Sequence, residues 1–116
     1  GGRSASEIYK HMISLNFDKN KIDFFFGDER CVDPQHHESN YRNIINTLFQ
    51  DNKNKNIHRI MAESHDLEYE VKRYSTLVNG KVDLLLLSLG EDGHIASLFP
   101  SSNFLNNYEE DFFFSS

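Results

Sequence analysis

The sequence predicts an α/β fold of three layers, with a mostly parallel sheet between helices on both faces. Along the chain, stretches with helical spacing of apolar residues alternate with short apolar runs. The run 82–89, Val-Asp-Leu-Leu-Leu-Leu-Ser-Leu, lies between two glycines and lacks alternation of polar and apolar residues. That pattern is typical of a strand covered on both faces. The hydrophobic fraction of 38% and the aromatic fraction of 13% indicate a folded chain rather than a disordered one.

The first predicted helix covers residues 5–15, after a turn of small residues at 1–4. Its apolar residues fall at helical spacing on one face, and these are Ile8, Met12 and Leu15. Ser4 or Ser6 is a candidate for the helix cap, because a hydroxyl oxygen there accepts a hydrogen bond from the first turn.

A buried strand is predicted at residues 22–26, a short apolar and aromatic run that ends at Gly27. The polar stretch 28–39 contains a proline and predicts a loop. Residues 40–49 then resume helical spacing and predict a second helix. The apolar positions of this helix are Ile44, Ile45, Leu48 and Phe49.

The second half of the chain predicts a strand, a helix and a strand. Residues 50–56 are a polar loop of low complexity, and residues 57–61 predict a brief strand. Residues 66–78 predict a third helix, which Asn79-Gly80 ends. Its apolar stripe consists of Leu67, Val71, Tyr74 and Val78. The apolar run described above follows as the last strand, and residues 101–116 carry no clear pattern.

The composition argues against nucleic-acid and membrane partners. The formal net charge is −6, and the lysines and arginines are scattered, whereas a nucleic-acid surface needs a basic stripe. No apolar stretch of the sequence reaches the ~20 residues that a membrane span requires. The one cysteine, Cys31, excludes an internal disulfide, which favours a cytoplasmic location.

Two loops rich in chemical groups follow predicted strands. The first is Gly-Asp-Glu-Arg at 27–30, and the second is Gly-Glu-Asp-Gly-His at 90–94. Ligands of open parallel sheets bind beyond the carboxyl ends of the strands. If both strands are parallel, both loops lie at one edge of the sheet, so the sequence predicts a site there.

His94 is the candidate catalytic residue of the second loop. An imidazole placed just after a strand is able to act as a general base near neutral pH. Gly93 relieves backbone strain in the turn, and Asp92 is placed to orient the imidazole or bias its protonation. The alternative is a surface turn whose histidine only caps a following helix.

The first loop and the start of the chain are candidates for binding an anion. Asp28, Glu29 and Arg30 together offer an acid, a base and a phosphate-binding group, although a salt-bridged surface turn has the same composition. In Gly1-Gly2-Arg3-Ser4, small residues let backbone N–H groups reach a phosphate at a helix N-terminus. A flexible tag remnant explains those four residues equally well.

His36, His37 and Glu38 have the composition of a metal cluster. However, adjacent histidines in a loop rarely converge on one ion, and Cys31 has no zinc-like partner cysteine. We therefore predict no metal site.

Three blocks of the sequence match one family in order. Gly1-Gly2-Arg3-Ser4 is similar to the end of its phosphate loop, with Ala5 where proline is usual. Phe-Gly-Asp-Glu-Arg-Cys-Val at 26–32, followed by His36 and Ser39-Asn40-Tyr41, is similar to its Asp-Glu-Arg block. The longest block is Leu-Ser-Leu-Gly-Glu-Asp-Gly-His-Ile-Ala-Ser-Leu-Phe-Pro at 87–100. Together these blocks resemble the 6-phosphogluconolactonase family, within the wider glucosamine-6-phosphate isomerase group.

The resemblance implies a Rossmann-like fold of the isomerase/lactonase type and hydrolysis of 6-phosphoglucono-δ-lactone without a metal or cofactor. It implies that His94 takes a proton from water and that Asp92 supports the imidazole. Arg30 and residues 1–4 (Gly1, Gly2, Arg3 and Ser4) would hold the substrate phosphate. The other matched positions shape the loops or contact substrate, and they are Asp28, Glu29, Asn40, Gly90 and Gly93.

Two rival functions remain open at this point. The isomerase/deaminase branch of the group is expected to have a glutamate just before the proline of the long block, where this chain has Phe99. That branch typically lacks an arginine after its Asp-Glu pair, and here Arg30 is present. Both departures favour the lactonase. The second rival is a non-catalytic phosphosugar-binding module, which the intact His94 disfavours.

We expect residues 1–116 to be the central part of a single domain, and hence an excerpt of a longer protein. A complete domain of the family is longer and has further strands, helices and a basic phosphate ligand. In some organisms that domain is fused to glucose-6-phosphate dehydrogenase, so such a fusion is a further expectation for the full-length protein.

Overall fold

The computed structural model describes residues 3–50, 56–80, 82–102 and 105. It divides into two compact units, Gly1–Glu63 and Ser64–Ser116. The elements in chain order are helix α1 (Arg3–Ser14), a 3-10 turn (Lys19–Lys21), strand β1 (Phe24–Phe25), helix α2 (Asn40–Thr47), strand β2 (Ile57–His58) and helix α3 (Leu67–Val78). Within the described residues, no helix combines the length and the apolar character needed to cross a membrane.

Helix α1 is confirmed, but its start and its packed face differ from the prediction. Because the helix begins at Arg3, Ser4 and Ser6 lie inside it, and the prediction that either serine caps it is wrong. The predicted turn at 1–4 is wrong for Arg3 and Ser4, and Gly1 and Gly2 lie outside the described residues. The half-buried positions include Ala5, Tyr9 and Met12, whereas Ile8 and Leu15 are exposed. Apolar spacing therefore located the helix but not the side that packs.

Strands β1 and β2 pair in parallel, with Phe24 opposite Ile57 and Phe25 opposite His58. The two strands are connected through α2, so the first unit contains a parallel β-α-β arrangement. This arrangement confirms the α/β class. Both strands are shorter than predicted, because the paired residues cover only part of 22–26 and 57–61.

Two residues that directly follow helix α2 lie in the core of the first unit. Leu48 and Phe49 are 2% and 0% exposed. The Phe49 ring meets the Phe24 ring edge to face at 4.9 Å, which joins α2 to β1. The Lys19 ammonium donates to the Leu48 carbonyl at 2.9 Å and so satisfies one of the carbonyls left open at the helix end. The predicted loop at 50–56 falls mostly on residues 51–55, which lie outside the described residues.

Helix α3 matches its prediction at both ends and along its stripe. The Asp66 carboxylate accepts the Tyr69 N–H at 2.9 Å, and Asn79 ends the helix in the left-handed region with φ 51°. Tyr74 and Val78 are buried. Glu70 is also buried, and its carboxylate accepts two hydrogen bonds from the Arg73 guanidinium at 2.6 and 2.7 Å.

We predict that Asp66→Ala lowers the free energy of unfolding by about 1 kcal/mol, because it leaves the Tyr69 N–H without its partner. Asp66→Asn is the matched control, since the amide oxygen still accepts that bond. Urea denaturation of both variants measures the difference. An equal loss in the two variants would show that charge rather than the cap supports α3.

The prediction of a buried strand at 82–89 is wrong for the described residues. The four consecutive leucines at 84–87 are between 56% and 76% exposed. Backbone pairing in this run is confined to Leu89, which forms an isolated antiparallel bridge with Ile95. A strand needs a neighbour that supplies hydrogen-bond partners along its length, and the described part of the chain does so only at Leu89.

Candidate active site

The turn 90–94 closes as the sequence predicts. The Gly93 N–H donates to the Gly90 carbonyl at 3.0 Å, and the Gly90 N–H donates to the His94 carbonyl at 2.8 Å. Gly93 has φ +87°, a conformation that residues with a side chain rarely adopt. The glycine at this position therefore allows the chain to reverse and present His94.

Asp92 holds the imidazole of His94 through Nδ1. One oxygen of the Asp92 carboxylate, Oδ1, is hydrogen-bonded to His94 Nδ1 and also accepts the His94 backbone N–H at 3.3 Å. The hydrogen bond from the His94 side chain lowers the pKa of Asp92, so the carboxylate is ionised at neutral pH. An ionised carboxylate favours the tautomer with hydrogen on Nδ1, which leaves the lone pair on Nε2.

Gly90 and Phe99 confine the same imidazole. A Cβ atom on Gly90 would collide with ring atoms Nδ1 and Cε1 of His94 and would lie 2.8 Å from the Asp92 carboxylate. The Phe99 ring stacks on the imidazole with centroids 5.1 Å apart and an angle of 28° between the planes. His94 Nε2 has no hydrogen-bond partner within the described part of the chain, and the side chain is 37% exposed. The free nitrogen is therefore available to a ligand.

The contact of Phe99 with His94 was not predicted from the sequence. It depends on the turn 95–98, in which Ile95 and Leu98 exchange backbone hydrogen bonds at 3.0 and 2.8 Å. Ala96 adopts φ 52° within this turn. No spacing rule pairs a histidine with an aromatic residue five positions later.

The acidic residues of the first loop bond to the start of α2. Asn40 donates from its side-chain amide to the backbone carbonyl and the carboxylate of Asp28, both at 3.2 Å. Glu29 accepts the backbone N–H groups of Asn40 and Tyr41 at 2.7 and 2.8 Å. The alternative, in which residues 28–30 form a salt-bridged surface turn, is not observed. None of the ion pairs among the described residues includes Asp28, Glu29 or Arg30. Asp28 and Glu29 therefore shape the loop.

Arg30 is exposed, and its guanidinium makes no hydrogen bond or ion pair with any described residue. The first loop lies near α1, since the Asp28 carboxylate adds to the effect of burial in raising the pKa of Tyr9 on that helix. Arg30 belongs to the first unit and His94 to the second. Their meeting at one sheet edge stays a prediction, as does phosphate binding by residues 1–4.

His36, His37 and Glu38 lie closer together than the sequence reasoning expected. Their ligand atoms are within 4.8 Å of one another, and the two imidazole rings are 4.2 Å apart. The two histidine side chains therefore do converge, and the prediction that they would not is wrong. His36 Nδ1 already accepts the Glu38 backbone N–H at 3.3 Å, which leaves Nε2 as the free nitrogen of that ring.

The family described as glucosamine-6-phosphate isomerases/6-phosphogluconolactonase matches residues 1–115. The chain belongs to this family. Its relatives include the 6-phosphogluconolactonase of Haemophilus influenzae, which is 40% identical over 86% of the chain and 47% of the relative. The crystal structure of 6-phosphogluconolactonase from Thermotoga maritima superposes with a TM-score of 0.74 at 33% identity, over 85% of this chain and 47% of that one.

The present chain spans about half the length of the curated relatives it matches. A bifunctional glucose-6-phosphate 1-dehydrogenase/6-phosphogluconolactonase of Plasmodium falciparum is also a relative. It is 34% identical over 87% of the chain and 12% of that protein. The similarity to the Thermotoga structure supports the α/β class that the sequence predicts.

Proposed function

We propose that the protein containing this chain hydrolyses 6-phospho-D-glucono-1,5-lactone to 6-phosphogluconate, a step of the oxidative pentose phosphate pathway. The proposal is supported mainly by the contacts of the His94 imidazole. Its Nδ1 is bound to an ionised Asp92, its ring is confined by Gly90 and Phe99, and its Nε2 is unengaged by the described residues. Such an imidazole is prepared to accept one proton at one defined atom.

The proposed reaction needs proton transfer and positioning. Nε2 of His94 takes a proton from water as the water oxygen attacks the lactone carbonyl. The imidazolium that forms is stabilised by the adjacent Asp92 carboxylate. It then returns a proton to the ring oxygen as the C–O bond breaks, so the proton balance closes and the product is a carboxylic acid. No metal or cofactor takes part in these steps.

Arg30 supplies the proposed contact with the substrate phosphate. Its guanidinium is exposed and has no partner among the described residues, and a planar guanidinium binds phosphate oxygens in pairs. Residues 1–4 supply a second contact with the phosphate in this proposal. This arrangement requires the complete three-layer sheet of a single domain, which we propose as the fold of the full-length protein.

The position of Phe99 disfavours the isomerase/deaminase alternative. The member of the acid–base set expected there is a carboxylate, whereas this chain places an aromatic ring that stacks on His94 and carries no exchangeable proton. A fusion with glucose-6-phosphate dehydrogenase remains part of the proposal, because the Plasmodium falciparum relative has that organisation.

The direct test is hydrolysis of the phosphorylated lactone by the full-length protein, measured above the spontaneous rate. Release of ammonia from glucosamine 6-phosphate would instead support the isomerase/deaminase branch. Binding of 6-phosphogluconate without either turnover would identify a non-catalytic phosphosugar-binding module.

We predict that Arg30→Ala raises KM for the phosphorylated lactone by about 10- to 100-fold, because it removes a charge-assisted contact to phosphate. The value of kcat should change little, since Arg30 does not touch the reacting carbonyl. Glucono-δ-lactone without phosphate is the internal control, and its kcat/KM should be the same in both proteins. A parallel loss on both lactones would assign Arg30 to the chemical step or to the fold.

A further inference from the structure

The Glu29 carboxylate receives four hydrogen bonds, more than any other acidic side chain of the first loop. Oε1 accepts the backbone N–H of Asn40 at 2.7 Å and that of Arg30 at 2.8 Å. Oε2 accepts the Tyr41 N–H at 2.8 Å and the Ser39 hydroxyl at 3.2 Å. Both oxygens are therefore occupied, and Glu29 has no lone pair placed to act on a substrate.

Three of these donors belong to the start of α2. The first N–H groups of a helix have no partner inside the helix, and the Glu29 carboxylate takes those of Asn40 and Tyr41. The next one, from Arg42, is accepted by the Ser39 hydroxyl oxygen at 3.2 Å. A negative charge at this end of the helix is also favoured by the helix dipole. Glu29 is thus fixed by a rigid element.

The fourth donor is the backbone of Arg30 itself. A single oxygen, Oε1 of Glu29, joins the Arg30 N–H to the first residue of α2. The Arg30 carbonyl is also engaged, because it accepts the Val32 N–H at 2.7 Å. Both main-chain groups of Arg30 are therefore held, while its guanidinium is exposed and free of partners within the described residues.

We propose that Glu29 is a positioning residue that fixes the backbone of Arg30 on helix α2, so that the guanidinium is presented to the substrate phosphate at a small entropic cost. The inference rests on the proposed phosphate-binding role of Arg30. A side chain whose base is already ordered loses less freedom on binding than one in a mobile loop. Glu29 acts through Arg30 and does not touch the lactone.

The test is Glu29→Gln in the full-length protein. Glutamine keeps the size of the side chain but replaces one acceptor oxygen with an NH₂ group, which faces donors and cannot accept their bonds. We expect KM for the phosphorylated lactone to rise about tenfold, with kcat unchanged, and kcat/KM for the unphosphorylated lactone to stay the same. Glu68→Gln is the matched control, since Glu68 is an exposed carboxylate in the first turn of α3, and it should change neither substrate.

Three kinetic results for Glu29→Gln overturn the proposal. An equal loss on both lactones, or a fall in kcat alone, places Glu29 in the chemical step or in global stability. The third is unchanged kinetics on both lactones. If Glu29→Gln does not fold, Ser39→Ala removes one of the four donors and should raise the same KM by about threefold with kcat unchanged. Unchanged KM in a folded Ser39→Ala protein then overturns the proposal.

Binding of 6-phosphogluconate, measured by calorimetry, separates this inference from the proposed function. Without hydrolysis by the wild-type protein the lactonase proposal fails, yet weaker binding by Glu29→Gln than by wild type still supports the positioning role. Equal binding by both proteins, or no binding by either, overturns the positioning role of Glu29. His94→Ala should bind 6-phosphogluconate as wild type does.

Discussion

His94→Ala in the full-length protein should lower kcat for 6-phosphogluconolactone by about 10²- to 10⁴-fold, with KM nearly unchanged. The reason is that the variant loses Nε2, the atom that accepts the proton of the attacking water in the proposed mechanism, while the proposed phosphate contacts remain. The measurement is the rate of acid release from the lactone, corrected for spontaneous hydrolysis at the same pH.

His65→Ala is the matched control for that experiment. His65 is an exposed histidine of the same unit, and no hydrogen bond or ion pair engages it among the described residues. The control should keep the wild-type rate. Hydrolysis by His94→Ala at the wild-type rate would remove His94 from the mechanism and with it the main support for the proposed function.

Gly90→Ala should lower kcat by about 10²-fold, although the residue takes no part in proton transfer. The added methyl group would occupy the space of the His94 ring atoms Nδ1 and Cε1, so the imidazole must move. A displacement of about 1 Å in a catalytic group is enough for a loss of that size. The ring would also leave its hydrogen bond with Asp92 and its stacking on Phe99.

The control for Gly90→Ala is Gly27→Ala, which makes the same chemical change just after β1. A Cβ atom on Gly27 has nothing within 4 Å, and its φ lies outside the range that disfavours side chains. It should leave kcat and stability unchanged. Thermal unfolding of both variants shows whether the effect is local, because a displaced imidazole changes kcat without a matching loss in Tm. Wild-type kcat in Gly90→Ala would show that the ring has room to move without cost.

Helices were predicted well because their signals are local. The apolar stripe and the end of α3 at Asn79 follow from residues within four positions of each other, and the structure reproduces both. The cap of α1 was wrong because the helix continues through Ser4 and Ser6 to Arg3. The strand at 82–89 was wrong because pairing depends on a neighbouring strand, which composition does not reveal.

In the candidate site, too, contacts between residues close in the sequence were predicted and contacts between distant residues were not. The reversal at Gly93 and the contact of Asp92 with His94 are local, and both were predicted. The role of Glu29 was left open, because three of its four donors lie 10 to 12 positions further along the chain. The stacking of Phe99 on His94 depends on the conformation of the turn between them, and it also escaped the sequence reasoning.

The exposed leucines at 84–87 have a consequence for the chain in concentrated solution. Short windows of adjacent aliphatic residues without charge or proline are the segments from which β-aggregates grow. Here Asp83 precedes the window, and Glu91 and Asp92 follow it closely. Charges at such flanking positions act as gatekeepers, since stacked copies would bring like charges together. Asp92 thus has a second role, because the carboxylate that holds His94 also opposes self-association of the leucines at 84–87.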